Sequence, residues 1–167
     1  LKAIDVSFNP DVNDNVTIDL VAGTLLSPSA SLQTLRLSGC GITFKGAQTL
    51  ASSLVGCEHV RCLDLSSNSL GSEGVAAIAK ALHSHTNSLE QLSFSYTFTA
   101  RKRKRDEDEG IQELCNLFDL GTNQSRLTSV SLAGCGLSKK NVGGLLERLR
   151  SLPLLRSLDL SDNDFKS

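Results

Sequence analysis

One short pattern of leucines occurs six times along this chain of 167 residues, and it constrains the fold more than any other feature. The pattern is L-x-x-L-x-L-x-x-N/C-x-L, and apolar residues at helical spacing follow most of its copies. The copies begin at Leu1, Leu32, Val60, Leu89, Leu127 and Leu155. The starts lie 28 to 31 residues apart, except for an interval of 38 residues after Leu89. Such a period predicts a solenoid, in which each repeat buries its apolar side chains against its neighbours.

The third copy illustrates how the first part of a repeat is expected to fold. Val60, Leu63 and Leu65 alternate with polar residues, which predicts a short strand with one buried face. Asn68 follows at the N/C position, where an amide can bond to backbone groups as the chain curves away from the strand. Cysteine takes this position in other copies as a smaller and weaker hydrogen-bonding group.

The second part of the repeat is predicted to be a helix that covers the other side of the core. Ser72 is the expected N-cap of this helix. Its apolar face is formed by Val75, Ile78, Ala79 and Leu82. Stacked strand–helix units place the strands in a parallel sheet with the helices outside, and the bulk of the helices makes the sheet concave. The predicted fold is therefore α/β, a right-handed solenoid of about five and a half repeats spanning residues 1–167 as one domain.

This long, helical form of the motif resembles the ribonuclease-inhibitor class of leucine-rich repeats. The class includes recognition domains of NOD-like receptors, the Ran GTPase-activating protein and actin regulators such as tropomodulin. The resemblance implies a horseshoe with a parallel sheet on its concave face, and a function in recognising other proteins. The main hypothesis is a non-enzymatic protein-interaction scaffold that binds its partner on the concave face, on a charged inserted loop, or on both. The alternative is a regulatory module of a small-GTPase activator or of an innate-immune-type sensor, because one fold hosts many functions.

The predicted strands identify the side chains that face the concave side of the sheet. Binding hot spots favour Tyr, Trp and Arg, and most residues on this face are small, so its large side chains stand out. Aspartates add a mild acidic character. The candidate partner-binding residues are Asp5, Phe8, Arg36, Asp64, Tyr96 and Asp159. The alternative is that they only repeat the motif, since L-D-L-S is its commonest form.

Two further groups are expected to be open on the same face. The first is a row of small residues, Ser7, Ser38, Ser66, Ser95, Ala133 and Ser161. The second is the thiol of Cys62, which would be reactive only if its surroundings lowered its pKa.

The fourth copy departs from the pattern in sequence and in length. Thr97 occupies the N/C position and Thr99 replaces the closing leucine, and residues 97–110 contain a charged insertion. The insertion carries the basic run Arg101, Lys102, Arg103, Lys104 and Arg105, followed at once by four acidic residues. Three hypotheses remain open: a self-neutralising solvated loop, a nuclear localisation signal, or a contact loop for an acidic partner, a nucleic-acid backbone or lipid. The adjoining acidic run disfavours binding to nucleic-acid phosphates, because it screens the basic charges.

Composition narrows the class of function. A net charge of -1 provides no general attraction to nucleic acid, and no apolar run reaches the ~18 residues that span a bilayer. No phosphate-binding glycine motif and no four-ligand metal set occur, so no cofactor is predicted. Five cysteines without the spacing of a disulfide framework indicate reduced thiols and an intracellular, cytoplasmic protein, with nuclear entry through Arg101 to Arg105 as an alternative. The absence of methionine and of capping segments predicts a fragment of a longer protein whose uncapped repeat ends could self-associate.

Overall fold

A computed structural model describes residues 1–13, 15, 23, 31–55, 57–83, 88–98, 109–120 and 125–165. In these parts of the chain, six three-residue strands form a single sheet in which each strand pairs in parallel with the next. The strands are Ala3–Asp5 (β1), Thr34–Arg36 (β2), Cys62–Asp64 (β3), Gln91–Ser93 (β4), Ser129–Ser131 (β5) and Ser157–Asp159 (β6). Their central residues are in register across the whole sheet, with Leu35 opposite Leu63 and Leu63 opposite Leu92. The predicted α/β class and parallel sheet are confirmed.

Helices alternate with the strands over the same residues. They are Phe44–Leu54 (α1), Gly71–Leu82 (α2), Glu109–Leu120 (α3) and Lys139–Ser151 (α4). Local caps explain where two of them begin, because Thr43 accepts a hydrogen bond from Lys45 N at 3.3 Å and Asn141 accepts one from Ser138 N at 2.8 Å. Neighbouring helices are linked on their outer side by Lys80–Glu109 and Arg148–Asp119 ion pairs of 2.9 Å and 2.7 Å.

The cap predicted for α2 is wrong. Leu70 occupies the N-cap position and makes no side-chain cap, while Ser72 lies inside the first turn. The Ser72 hydroxyl instead accepts a hydrogen bond from Gly110 N, at the start of α3, at 2.9 Å. Ser72 therefore joins two successive repeats at their helix starts, which a reading of one repeat alone does not predict.

The core lies between the sheet and the helices and runs without interruption through the repeats. The helix residues predicted to cover the third repeat, Val75, Ile78, Ala79 and Leu82, are all buried. From the sheet side, Leu63 and Leu65 belong to the same core, together with the equivalent residues Leu35, Leu37, Leu92 and Phe94 of the neighbouring repeats. Each such side chain stabilises the fold by about 1.5–3 kcal/mol relative to an exposed one.

In the third repeat, the N/C position closes the turn from inside the core. Asn68 is buried; its amide donates to the carbonyl oxygens of Leu37, Leu65 and Ser66, and its oxygen accepts from Cys40 N and Ile42 N. The bonds to Leu37, Cys40 and Ile42 cross to the preceding repeat. Asn68 thus couples neighbouring repeats through hydrogen bonds.

Candidate functional site

The side of the sheet opposite the helices, called here the open face, carries the candidate strand residues. Arg36 and Asp5 lie on adjacent strands with exposed side chains, and Arg36 Nη1 is 3.8 Å from Asp5 Oδ2. Near the centre of the sheet is a shallow depression of about 120 Å³. Residues lining it include Arg36, Cys62, Asp64, Gln91, Ser93 and Ser131. Two of the predicted binding residues, Arg36 and Asp64, therefore face one depression.

The three candidate aspartates share a local backbone contact. Oδ1 of Asp5, Asp64 and Asp159 accepts a hydrogen bond from the backbone N–H of the serine two residues later, at 3.1, 2.9 and 3.0 Å. This bond lowers the pKa of Asp5 and of Asp159 below the ordinary aspartate value. Each aspartate therefore shapes the turn after its strand as well as contributing negative charge, which accounts physically for the recurrence of Asp-x-Ser.

The row of small residues is less open than its pattern predicts. Ser38, Ser95 and Ala133 are buried, so the expectation of an open row is wrong for these three. The Ser95 hydroxyl lies 2.6 Å from the Ser131 hydroxyl and accepts a hydrogen bond from Ala133 N at 3.1 Å. Ser95 is covered because its hydroxyl joins its own repeat to the next one.

The open face is bordered at the carboxyl ends of the strands by a row of residues with positive φ, called here the rim. The row consists of Phe8, Gly39, Ser67, Tyr96, Gly134 and Asp162, with φ between 55° and 62°. For a residue other than glycine this backbone conformation costs about 1–2 kcal/mol. Phe8 and Tyr96 are nevertheless large, and they are 75% and 49% exposed.

Each rim aromatic lies against a glycine of the next repeat. A Cβ on Gly39 would be 2.9 Å from Phe8 Cδ1, and a Cβ on Gly134 would overlap the Tyr96 ring. Tyr96 also reaches one repeat further, where its hydroxyl donates a hydrogen bond to Asp162 Oδ2. That bond raises the pKa of Tyr96 above its ordinary value, because it stabilises the protonated phenol.

This seating of a ring on a glycine is a feature that the sequence analysis missed. The available signal was the alternation of an aromatic residue with glycine at one repeat position, at Phe8–Gly39 and again at Tyr96–Gly134. A charged depression of about 110 Å³ at the amino ends of the strands was also not predicted. Arg61 and Glu90 form an ion pair of 2.9 Å there, beside His59 and Arg126.

Burial raises the pKa of the Cys62 thiol, which donates to Gln91 Oε1 at 3.5 Å, so the geometry disfavours a reactive thiolate. All five cysteines are thiols. The basic residues Arg101, Lys102, Arg103, Lys104 and Arg105 lie outside the described residues.

The described residues contain no group of three or more His, Cys, Asp or Glu side chains placed to hold a metal ion. Among them there is also no helix with the length and apolar character needed to cross a membrane.

Comparisons with known proteins agree with this geometry. A family model described as Leucine Rich repeat matches residues 29–51, 56–79 and 151–167. The ribonuclease inhibitor of Sus scrofa is 30% identical, over 98% of this chain and 40% of the inhibitor. Human NACHT, LRR and PYD domains-containing protein 13 is 26% identical, over 90% of this chain and 16% of that protein. The chain thus spans less than half the length of these curated relatives.

A solved structure supports the fold independently. The chain titled Leiomodin-1 Actin-Binding Site 2 (ABS2) superposes with a TM-score of 0.69, over 90% of this chain and 78% of that one. Since the two sequences are only 16% identical, the likeness concerns the fold alone.

Proposed function

Since the chain is a leucine-rich-repeat protein of the ribonuclease-inhibitor-like class, and its repeats form a protein-interaction scaffold, we propose that its open face binds a partner protein. The observation that carries this proposal is the continuous sheet, whose six strands are in register and carry a mixed set of charged and aromatic side chains on one side. Every contact residue is then held by a strand or by the turn that follows it, so little conformational freedom is lost on binding.

The arrangement of the large side chains supports a contact surface. Arg36 lines the central depression, and Tyr96 and Phe8 lie on the rim. Arg and Tyr are residue types that carry much of the binding energy at protein interfaces. The rings and the guanidinium are surrounded by small side chains, which let a partner approach the sheet closely.

The aspartates are proposed to set the electrostatic character of the face. One oxygen of Asp64 is bonded to Ser66 N, and the carboxylate remains half-buried at the edge of the depression. Asp5 and Asp159, on the outer strands, extend the negative charge on both sides of it. We therefore assign contact roles to Asp5, Phe8, Arg36, Asp64, Tyr96 and Asp159.

The proposal describes recognition without catalysis, inside the cell. The inhibitor is named for an action on another protein, which supports a protein partner here. Cysteines that remain thiols, with the Cys40 thiol donating to Val6 O at 3.2 Å, fit a reducing compartment.

A quantitative capture experiment tests the proposal. The chain, an Arg36→Glu/Tyr96→Ser variant, a deletion of residues 101–108 and a helix-side Lys45→Glu control are used to capture partners from lysate by cross-linking. Proteins captured by the unmodified chain should fall about tenfold with the open-face variant and stay unchanged with the control. Unchanged capture by the open-face variant would overturn the proposal, and loss only on deletion would place binding on the inserted segment instead.

A single substitution tests how much the negative charge of Asp64 contributes to binding. Asp64→Asn keeps an oxygen that can accept from Ser66 N and removes only the negative charge. Binding of a captured partner should weaken by about two- to fivefold while the urea midpoint of the chain stays the same. An unchanged affinity would remove Asp64 from the contact surface.

A further inference from the structure

We propose that the partner presents arginine or lysine side chains to the rim, where the Tyr96 ring and the carboxylates of Asp159 and Asp162 receive a cation. This inference rests on the proposed function, since it assigns the chemistry of the partner that the open face binds. The rim corner formed by Tyr96, Gly134, Asp159 and Asp162 is called here the cation corner.

The Tyr96 ring is held in place by two contacts. It lies against Gly134, where a Cβ would overlap the ring, and its hydroxyl donates to Asp162 Oδ2. Tyr96 is still 49% exposed, so part of the ring remains open to solvent. A fixed and partly open ring is a suitable platform for a guanidinium or an ammonium group.

The cation corner is negatively charged, because it contains the carboxylates of Asp159 and Asp162. Asp162 adjoins the ring hydroxyl, and Asp159 Oδ2 accepts from Ser131 Oγ on the next strand at 3.3 Å. Neither carboxylate forms an ion pair with a basic side chain within the described ranges. Two uncompensated carboxylates beside an aromatic face complement a cation, and arginine can stack on the ring while bonding to a carboxylate.

A ring packed against a glycine occurs twice. Phe8 lies against Gly39 as Tyr96 lies against Gly134, and Asp11 belongs to the same repeat as Phe8. Phe8 follows β1 and Tyr96 follows β4, so the two residues are separated by three strand spacings, or about 14 Å along the sheet. A partner surface with basic side chains at that spacing would engage both rings, whereas a lone small cation would engage one.

Selection from a displayed library of random peptides tests the inference without a known partner. The chain and its Tyr96→Ser and Tyr96→Phe variants are panned in parallel, and the affinities of enriched peptides are measured by fluorescence anisotropy. Enriched peptides should be rich in arginine or lysine and should bind Tyr96→Ser about fivefold more weakly, while Tyr96→Phe, which keeps the ring, binds within twofold. Replacing the critical arginine of a peptide by glutamine should weaken its binding to the chain by more than it weakens its binding to Tyr96→Ser, in which only the two carboxylates remain to receive the cation.

The outcomes separate the inference from the proposed function. Enriched peptides that are not basic, but lose affinity for Arg36→Glu, would overturn the cation corner and leave the open face as a binding surface. Acidic peptides would overturn it in favour of the Arg61 and Arg126 depression. Basic peptides that bind Tyr96→Ser as well as the chain would also overturn it, and no enrichment would count against both proposals.

Discussion

Asn68 of the third repeat and Thr97 of the fourth occupy the same position in the turn after their strands, and both are buried. Asn68 bonds to five backbone groups, three of which belong to the preceding repeat. The Thr97 hydroxyl donates to Phe94 O, in its own repeat, at 2.6 Å. The shorter side chain closes its own turn but does not reach back.

The difference shows that closing a turn and coupling two repeats are separate tasks. At the fourth repeat the coupling is made by other groups, since Gly71 N donates to Thr97 O at 3.0 Å and the Cys135 thiol donates to Phe94 O at 3.1 Å. The stability of a solenoid depends on such contacts between neighbours. The third repeat should therefore be the more sensitive of the two to loss of its turn side chain.

The largest expected effect comes from removing the coupling side chain. Asn68→Ala leaves Cys40 N and Ile42 N without their acceptor, and carbonyl groups without a donor, in a buried turn. We expect the free energy of unfolding to fall by about 3 kcal/mol, as measured by urea denaturation followed by circular dichroism. A loss below about 1 kcal/mol would show that the two turn positions are equivalent and would remove the basis of the comparison.

A second prediction extends the comparison to the rim of the fourth repeat. Gly134→Ala and Gly71→Ala both place a side chain at positive φ, but only at Gly134 would it overlap the Tyr96 ring. In the same assay, we expect the free energy of unfolding to fall by about 1 kcal/mol for Gly71→Ala and by about 2 kcal/mol for Gly134→Ala. Gly134→Ala should also change the ring signals of Tyr96 in NMR spectra, and equal losses without such a change would contradict the seating of the ring.

A third, smaller effect concerns the turn of the fourth repeat itself. Thr97→Val keeps the shape of the side chain and removes one hydrogen bond within the repeat. The free energy of unfolding should fall by about 1 kcal/mol, well below the loss for Asn68→Ala. A loss as large as that of Asn68→Ala would mean that Thr97 couples repeats through contacts beyond Phe94 O.

The smallest effect is a shift in the titration of Tyr96. Its pKa is raised chiefly by the hydrogen bond to Asp162, so this bond adds stability below the pKa of an unfolded tyrosine, and the contribution is lost as the pH rises through the folded pKa. Tyr96 is the only tyrosine and the chain has no tryptophan, so the phenolate absorbance reports on this site alone. Asp162→Asn should move the titration back toward the ordinary value, and a normal pKa in the unmodified chain would contradict the bond.

The sequence predicted well wherever one residue's environment depends on its own repeat. The alternation around Leu63 and the helical spacing from Val75 to Leu82 identified a strand and a helix, and both lie where these patterns place them. It failed where the environment depends on another repeat. Ser72 was expected to cap its own helix and instead bonds to Gly110 N, and Ser95 was expected to be open and is buried by its neighbours.

The candidate site divides in the same way. The positions of Arg36 and Asp64 on one face followed from strand alternation, and the position of Tyr96 at the strand edge followed from its place in the repeat, although their roles in binding remain proposals. The shape of that face did not follow from the sequence pattern, because the rings of Phe8 and Tyr96 lie against glycines that are 31 and 38 positions later in the chain.

The sequence by itself determined the class of fold, because a periodic pattern of apolar residues has few ways to bury itself other than by stacking equal units. Only the tertiary structure decided which side chains bridge repeats and which stay open to a partner. The physical reason is that a hydrogen bond or a ring contact requires two groups within a few ångströms, and stacking brings together residues about 30 positions apart. The seating of Tyr96 on Gly134, with its hydroxyl on Asp162, is an arrangement of this kind.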